Sequence, residues 1–378
     1  MLIVGIIIGL VVLVILVSLH ELGHAIMARR NGVVVEEFGI GFPPKAWAKK
    51  LKNGVLFSIN WLPLGGFVKL QGEHDEDAKK GDYGAATFWQ KTKILLAGVT
   101  VNWLIAMLLF MVLAWTSGIP KITDTQFSVP SDTVVVTSPV RLGALVEDYP
   151  AAKAGLEQGD SIISFDGEPI ATTAELINIS KQHRGKTVPV VYERDGKRSS
   201  VDVSLRDADS AVFGANLAQQ ESLKATWSAP IVGVAVSGQF TWLTLQGLGD
   251  LVYNFFGGLF GQLSFDQSVR EHASEQLGEA GANVAGPIGI LAVIFPAASQ
   301  AGLEQLIFLA AVISLTLAVM NTLPIPALDG GRWFVTAMFK ALKKPLKKET
   351  EERIHGVGFA ALMVLVVVIT VGDVIKLF

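Results

Sequence analysis

The chain has 378 residues, 51% of them hydrophobic and 17% charged, with a formal net charge of −3. An average soluble domain carries about 25% charged residues, so this chain is depleted in charge. The net charge says little, because it averages over both faces of a membrane, and no nucleic-acid partner is expected. The absence of cysteine excludes disulfides, thiolate metal ligands and cysteine catalysis.

Residues Met1–Leu19 carry no charge, and a bilayer core about 30 Å thick needs roughly 20 apolar helical residues. The basic start and small-residue cleavage site of a signal peptide are both missing. Residues 1–30 are therefore expected to form a first transmembrane helix. Its end carries His20-Glu21-Leu22-Gly23-His24. Residues four apart share a helix face, so both imidazoles can bind one ion, with Glu21 beside them as a base for water. Ionisable groups at the end of a membrane helix are costly and mark a functional site.

Arg29–Lys93 is basic and rich in glycine and proline, and residues 31–92 of it form the segment after the first helix. Within them Val55, Phe57, Ile59 and Trp61 alternate as in a strand, and Pro63 with Gly65-Gly66 marks a turn. An exposed strand edge can pair with an extended peptide, which makes Gly65, Gly66 and Phe67 candidate substrate contacts. The pattern equally fits an ordinary cytoplasmic hairpin. Residues 93–120 form a second charge-depleted span, and 121–133 a linker. Residues 134–207 show the turn spacing of a small β-rich domain: Gly159-Asp160 and Asp166-Gly167 flank the apolar strand Ser161–Phe165.

Residues 208–303 form a connecting region. Its apolar stretch Ser228–Leu263 is broken by Gly233, Gly238, Gly247, Gly249, Gly257 and Gly258, favouring interfacial or re-entrant helices over a full span. A full span there, unless paired with a second through Ala285–Ala298, would put Asp329 opposite His20 and His24. Residues 304–339 hold a third span, ending in Asn321-Thr-Leu-Pro-Ile-Pro-Ala-Leu-Asp-Gly-Gly331. Pro324 and Pro326 should break the helix, Gly330 and Gly331 permit close backbone approach, and Asp329 is the natural third ligand. A basic loop, 340–354, and a fourth span, 355–378, complete the chain. Lys and Arg cluster after the first span, before the second and after the third, so these segments are expected on the cytoplasmic side.

HELGH in a first membrane helix, paired with NTLPIPALDGG in a later one, resembles the site-two protease family of intramembrane metalloproteases. The closer resemblance is to the bacterial branch that cleaves membrane-bound anti-sigma factors. GIGF at Gly39–Phe42, PLGGFVKL at Pro63–Leu70 and AGPIGI at Ala285–Ile290 extend the likeness. It implies one zinc ion held by His20, His24 and Asp329, with Glu21 as general base. Substrates would be single-span membrane proteins, anti-sigma factors or signal-peptide remnants, with Asn321 helping to hold substrate. The segment 31–92 would be a membrane-associated β-loop, and the protein would sit in a bacterial plasma membrane with its active site near the cytoplasmic side. PAAKAGL and GDSIISFDG resemble a PDZ domain, extracytoplasmic and present once where several relatives carry two. This would place Leu142, Gly143 and Ala144 on its peptide-binding loop. The expected fold is thus a polytopic α-helical membrane protein with a β-loop and an inserted α+β domain. Rival functions are a catalytically silent scaffold presenting the PDZ domain and a zinc transporter, whose conducting path would need polar residues that Ile94–Pro120 and Gly356–Gly372 scarcely supply.

Overall fold

The apolar run that opens the chain folds as α1 (Leu2–Arg30), with no polar stripe before Ser18, as suits a helix surrounded by lipid and protein. In the computed structural model, which describes residues 2–194, 196–208, 212–282 and 285–377, this helix ends at Asn31-Gly32. Gly32 takes φ +82°, and the Val33 N–H donates to Ala28 O at 2.9 Å, a left-handed stop that glycine makes without strain. Next come β1 (Val35–Lys50), β2 (Leu56–Leu70) and α2 (Phe88–Trp115). The middle of the chain holds β3 (Ile119–Pro120), β4 (Val134–Thr137), β5 (Val140–Leu145), α3 (Pro150–Lys153), β6 (Ser161–Phe165), β7 (Glu168–Pro169) and α4 (Thr173–Gln182). It continues through β8 (Thr187–Arg194), β9 (Lys197–Ser204), β10 (Ala215–Ala218) and β11 (Glu221–Lys224). Helices then resume as α5 (Ala229–Gly261), α6 (Gln267–Ala282), α7 (Pro287–Gly289), a π-helical turn (Ile290–Ile294) and α8 (Phe295–Ala301). The last are α9 (Leu303–Thr322), α10 (Asp329–Ala341) and α11 (Lys348–Leu377). Among the described residues, α1, α2, α5, α9 and α11 are the five helices long and apolar enough to cross a membrane.

Two compact units emerge, Met1–Val112 with Pro230–Phe378, and Leu113–Ala229. In the first, small residues set the helix approaches. A Cβ on Gly5 or Gly9 of α1 would collide with Pro296 or Phe295 of α8, and one on Gly23 would meet Ala97 O of α2 at 2.8 Å. Phe110, Phe240 and Phe308 join α2, α5 and α9 with ring centroids 5.2–6.1 Å apart. Because α8 packs on the start of α1 and Asp329 meets its end, α9 runs in the same direction as α1. Beneath that end, Ala28, Val35, Leu70, Tyr83 and Ile94 form a buried cluster.

The strands β1 and β2 are bent, so Phe38 and Gly39 have partners on both sides: Val68 and Phe67 on one, Phe57 and Ser58 on the other. Residues 66–70 thereby form an outer strand against α1. Farther out, Phe42, Trp47, Trp61 and Leu62 are exposed by 47–71%, an apolar tip.

The second unit is a sheet in the order β10-β5-β6-β8-β9 around Val140, Leu142, Ile162, Phe165, Leu176 and Val190, with β3, β11 and β4 forming a separate sheet. A Thr172–Glu175 capping box starts α4.

Three expectations need correction. Within the stretch 228–263, Ala229–Gly261 is one continuous helix, α5, because a helical glycine costs only about 1 kcal/mol and Gly233 lets Met107 and Met111 approach within about 3 Å of its would-be Cβ. The chain then returns through α6 to α8, so Asp329 still meets the histidines. The β-rich domain does not stop at 207: Val212 and Phe213 are in its core and β10 completes its sheet. Finally, α2 and α11 start before residues 93 and 355, because their first turns project past the apolar runs. There Lys91 pairs with Asp75 at 2.7 Å.

Asp373 of α11 is buried and accepts the N–H groups of Gly286 (3.1 Å) and Gly289 (2.7 Å) at the start of α7. Each buried N–H stripped of its acceptor costs about 1–3 kcal/mol. Asp373→Ala should therefore lower the melting temperature of the detergent-solubilised protein, with Asp373→Asn intermediate. An unchanged melt for both variants would show that this clamp contributes nothing.

Candidate metal centre

His20 and His24 lie one turn apart on the buried face of α1, each 6% exposed. Asp329 arrives from a break in the α9–α10 region. Pro324 cannot continue α9, and Leu323 turns to extended backbone. Ala327 then adopts φ +81°, strained for a residue with a Cβ, and donates its N–H to His355 Nδ1 of α11 at 3.2 Å. Gly330 and Gly331 cannot carry side chains, since a Cβ would lie 2.3 Å from Thr322 O or 1.9 Å from Ile325 O. Downstream, α10 is fastened. Arg332 stacks on Tyr83 with its guanidinium 4.6 Å from the ring centroid and donates to Glu73 O. Trp333 Nε1 donates to Thr92 Oγ1 at 3.0 Å.

The result is a near-equilateral triangle. His20 Nε2, His24 Nε2 and Asp329 Oδ2 are each 3.1 Å from the other two. Among the described residues this is the one cluster of three or more potential metal ligands. Zinc with bonds of about 2.0–2.2 Å in a tetrahedron sets its ligand atoms about 3.3 Å apart, so the donor set and its spacing fit that ion. Three protein ligands leave one position for water or substrate, as catalytic zinc requires. The tautomer of His24 also fits: its Nδ1 donates to Ile94 O at 2.8 Å, leaving Nε2 as a bare acceptor.

Glu21 does not enter the triangle. Its Oε2 accepts the Val68 N–H at 3.0 Å, so the outer strand of the bent sheet holds the carboxylate. Gly66 is buried beside it, with Glu21 Cγ 3.7 Å from where a Cβ would stand. Gly65 takes φ +88°, and Phe67 lays its ring on Gly39. Asn321 is in the last turn of α9, half-buried, on the approach to the break. A cleft of about 460 Å³ opens on Asp329, lined also by Ala327, Leu328, Arg332, His355 and Phe359.

Leu142, Gly143 and Ala144 have no open strand edge. On β5, Leu142 pairs with Leu217 of β10 on one side, and its N–H donates to Asp160 O on the other. The edge strand beside β5 is β10, in a segment whose sequence reads as a linker.

The chain matches peptidase family M50 over residues 8–365. It belongs to that family. This M50 protease is a zinc metalloprotease of the site-two type, and its five apolar helices make it a multi-pass membrane protein. It is 28% identical to "Zinc metalloprotease RasP" of Geobacillus kaustophilus, an alignment covering 96% of each chain. It is 30% identical to a putative zinc metalloprotease of Clostridium perfringens over 95% of each. With "Regulator of sigma-W protease RasP" of Bacillus subtilis it shares 26% identity over 96% of each. A solved PDZ domain of an SdrC-like protein from Listeria monocytogenes matches 21% of the chain and 86% of that domain, at 28% identity and a TM-score of 0.19.

Sequence reading missed two features of the M50 centre. One is the pair of backbone groups, Ile94 O and Val68 N–H, which no residue type announces. The other is Gly98 on α2. A Cβ there would stand 2.5 Å from His24 Nε2 and 2.7 Å from His20 Nε2, so only glycine lets α2 close over both ligands. Gly98→Ala should reduce zinc affinity by at least about tenfold, as disturbed ligand orientation does, measured by competition with a chromogenic chelator. Gly249→Ala, which faces open space, should leave it unchanged. Equal affinities would refute the close approach.

Proposed function

We propose that this protease binds a single zinc ion through His20, His24 and Asp329 and hydrolyses peptide bonds in the membrane segments of single-span proteins. The observation that carries the reading is the ligand triangle at the end of a lipid-length helix, with Glu21 one residue from His20 yet outside the triangle. The ion, when bound, supplies the Lewis acidity that makes water a nucleophile near neutral pH. Glu21 accepts the proton of the attacking water and returns it to the leaving amide nitrogen, while the Val68 N–H keeps its carboxylate aimed. A helical substrate hides its peptide bonds, so it must unwind. Extended, it lies beside Gly65, Gly66 and Phe67, because the Val68 and Leu70 N–H groups farther along the outer strand already serve Glu21 and Glu73, with Asn321 holding it from the opposite side of the break. The exposed apolar tip of the β-loop favours immersion in lipid over an aqueous hairpin.

The name of the Bacillus subtilis relative supports membrane-bound anti-sigma factors as the substrate class, with signal-peptide remnants as the second candidate. The bacterial relatives support a plasma-membrane location, and the Lys and Arg distribution supports an active site near the cytoplasmic side with Leu113–Ala229 outside. That unit is read as a PDZ domain whose bulk excludes substrates with large external domains. If it binds peptides instead, β10 is the strand they would extend. A catalytically silent scaffold is disfavoured, because it has no need of a spaced ligand set with a separate carboxylate beside it.

Glu21→Gln should keep about one zinc per chain and lose roughly 10²–10⁴-fold in hydrolysis of a co-expressed single-span substrate, the range expected for removing a general base. His24→Ala should lose the metal as well. Wild-type cleavage by Glu21→Gln would end this mechanism. Orientation is testable because the chain lacks cysteine. A cysteine at Ser199 should label from outside the cell and one at Lys347 only after permeabilisation; the reverse pattern would invert the topology. Deleting residues 134–218 with a short linker should admit untrimmed substrate if the domain excludes by bulk. Continued rejection by a folded, active deletion variant would refute exclusion.

A further inference from the structure

Asn102 lies on α2 one turn beyond Gly98, and it is fully buried, with 0% exposure. A buried amide in a membrane helix is costly and calls for a partner. Its Nδ2 is 3.4 Å from His20 Nδ1, and its Oδ1 has no hydrogen-bond partner. Its backbone carbonyl accepts Ser314 Oγ of α9 at 2.8 Å, so the residue is fixed between two helices.

The proton inventory of His20 decides what this contact is. Nε2 is the nitrogen that faces His24 and Asp329. To serve as a ligand it must be unprotonated, and a neutral imidazole then carries its proton on Nδ1. That N–H cannot meet an amide NH2, because two donors would face each other. The two ends of an asparagine amide are interchangeable in shape, and their assignment follows from the hydrogen bonds they make. Turning the amide over places Oδ1 opposite Nδ1–H. One end of the amide lacks a partner in either orientation, so the histidine proton settles the choice.

We propose that Asn102 is a positioning residue of the metal centre, its Oδ1 accepting the Nδ1–H of His20 and holding Nε2 toward the ion. The arrangement mirrors His24, whose Nδ1–H is accepted by Ile94 O. Both acceptors come from α2, so one helix orients both histidine ligands. The proposal rests on the zinc reading above, and its test separates the two.

The test uses the full chain in detergent, stripped of metal and titrated with zinc against a chromogenic chelator. Cobalt is used in parallel for its ligand-field spectrum. Asn102→Leu keeps the size and removes the acceptor. It should weaken zinc binding about 10–100-fold, the usual effect of removing a group that orients a histidine ligand, and alter the cobalt spectrum. Asn102→Asp keeps an acceptor at the same place and should bind as tightly as wild type or more tightly. Metal-free melting curves show whether each variant folds; if Asn102→Leu does not, Asn102→Ala carries the same expectation. Failure of the wild type itself to bind zinc would overturn the metal reading. Wild-type zinc binding matched by Asn102→Leu or Asn102→Ala, or loss of binding in Asn102→Asp equal to that in the apolar variants, would overturn the role of Asn102.

Discussion

Three lone-pair-bearing atoms held 3.1 Å apart, two of them on buried imidazoles, repel one another unless they share a cation. That requirement governs the membrane unit. The carboxylate of Asp329 and the two imidazoles are expensive to bury singly, and a shared zinc ion, as proposed, would accept only a narrow range of distances. Much of the surrounding packing follows from it. Gly23 and Gly98 thin the α1–α2 contact so that the second helix can lie over His20 and His24. A hydrogen-bonded Ser314–Asn102 link binds α2 to the helix that leads to Asp329.

Asp329 itself stands on irregular backbone, which a membrane protein tolerates only where other groups satisfy it. Two prolines open the break, His355 receives the N–H of the strained Ala327, and the paired glycines fold the chain back over its own carbonyls. The clamp formed by Arg332, Tyr83 and Trp333 then prevents α10 from swinging. Rigidity at the ligand is thus achieved by neighbours on α11, on α2 and in the loop before α2, rather than by a regular helix.

How much of this was legible in the sequence depended on whether the signal was local. His20, Glu21 and His24 declare themselves through a single helical turn, and Asp329 through its position at the end of a charge-free run. Strand pairing is not local. Nothing in Leu142-Gly143-Ala144 reveals that β10 would lie beside them, and β10 is four residues long after an apolar pair that reads as linker. Continuity of α5 was missed for a related reason: its glycines look like breaks in sequence, whereas Gly233 answers the backbone of α2. The Val68 N–H and Ile94 O are invisible in principle, because every residue but proline carries both groups. Gly98 and Asn102 are different. They share a helix face and sit within an apolar run, so a search for polar and small residues four apart would have found them.

The ligands' distance along the chain has a bearing on how the protein is made. His20 and Asp329 touch across 309 positions of sequence. During synthesis the first helix enters the bilayer, among other nascent membrane segments, long before the aspartate has been translated. At that stage His20, Glu21 and His24 are present, but Asp329 is not. On the proposed reading, the order of translation keeps the centre incomplete until most of the chain is in place.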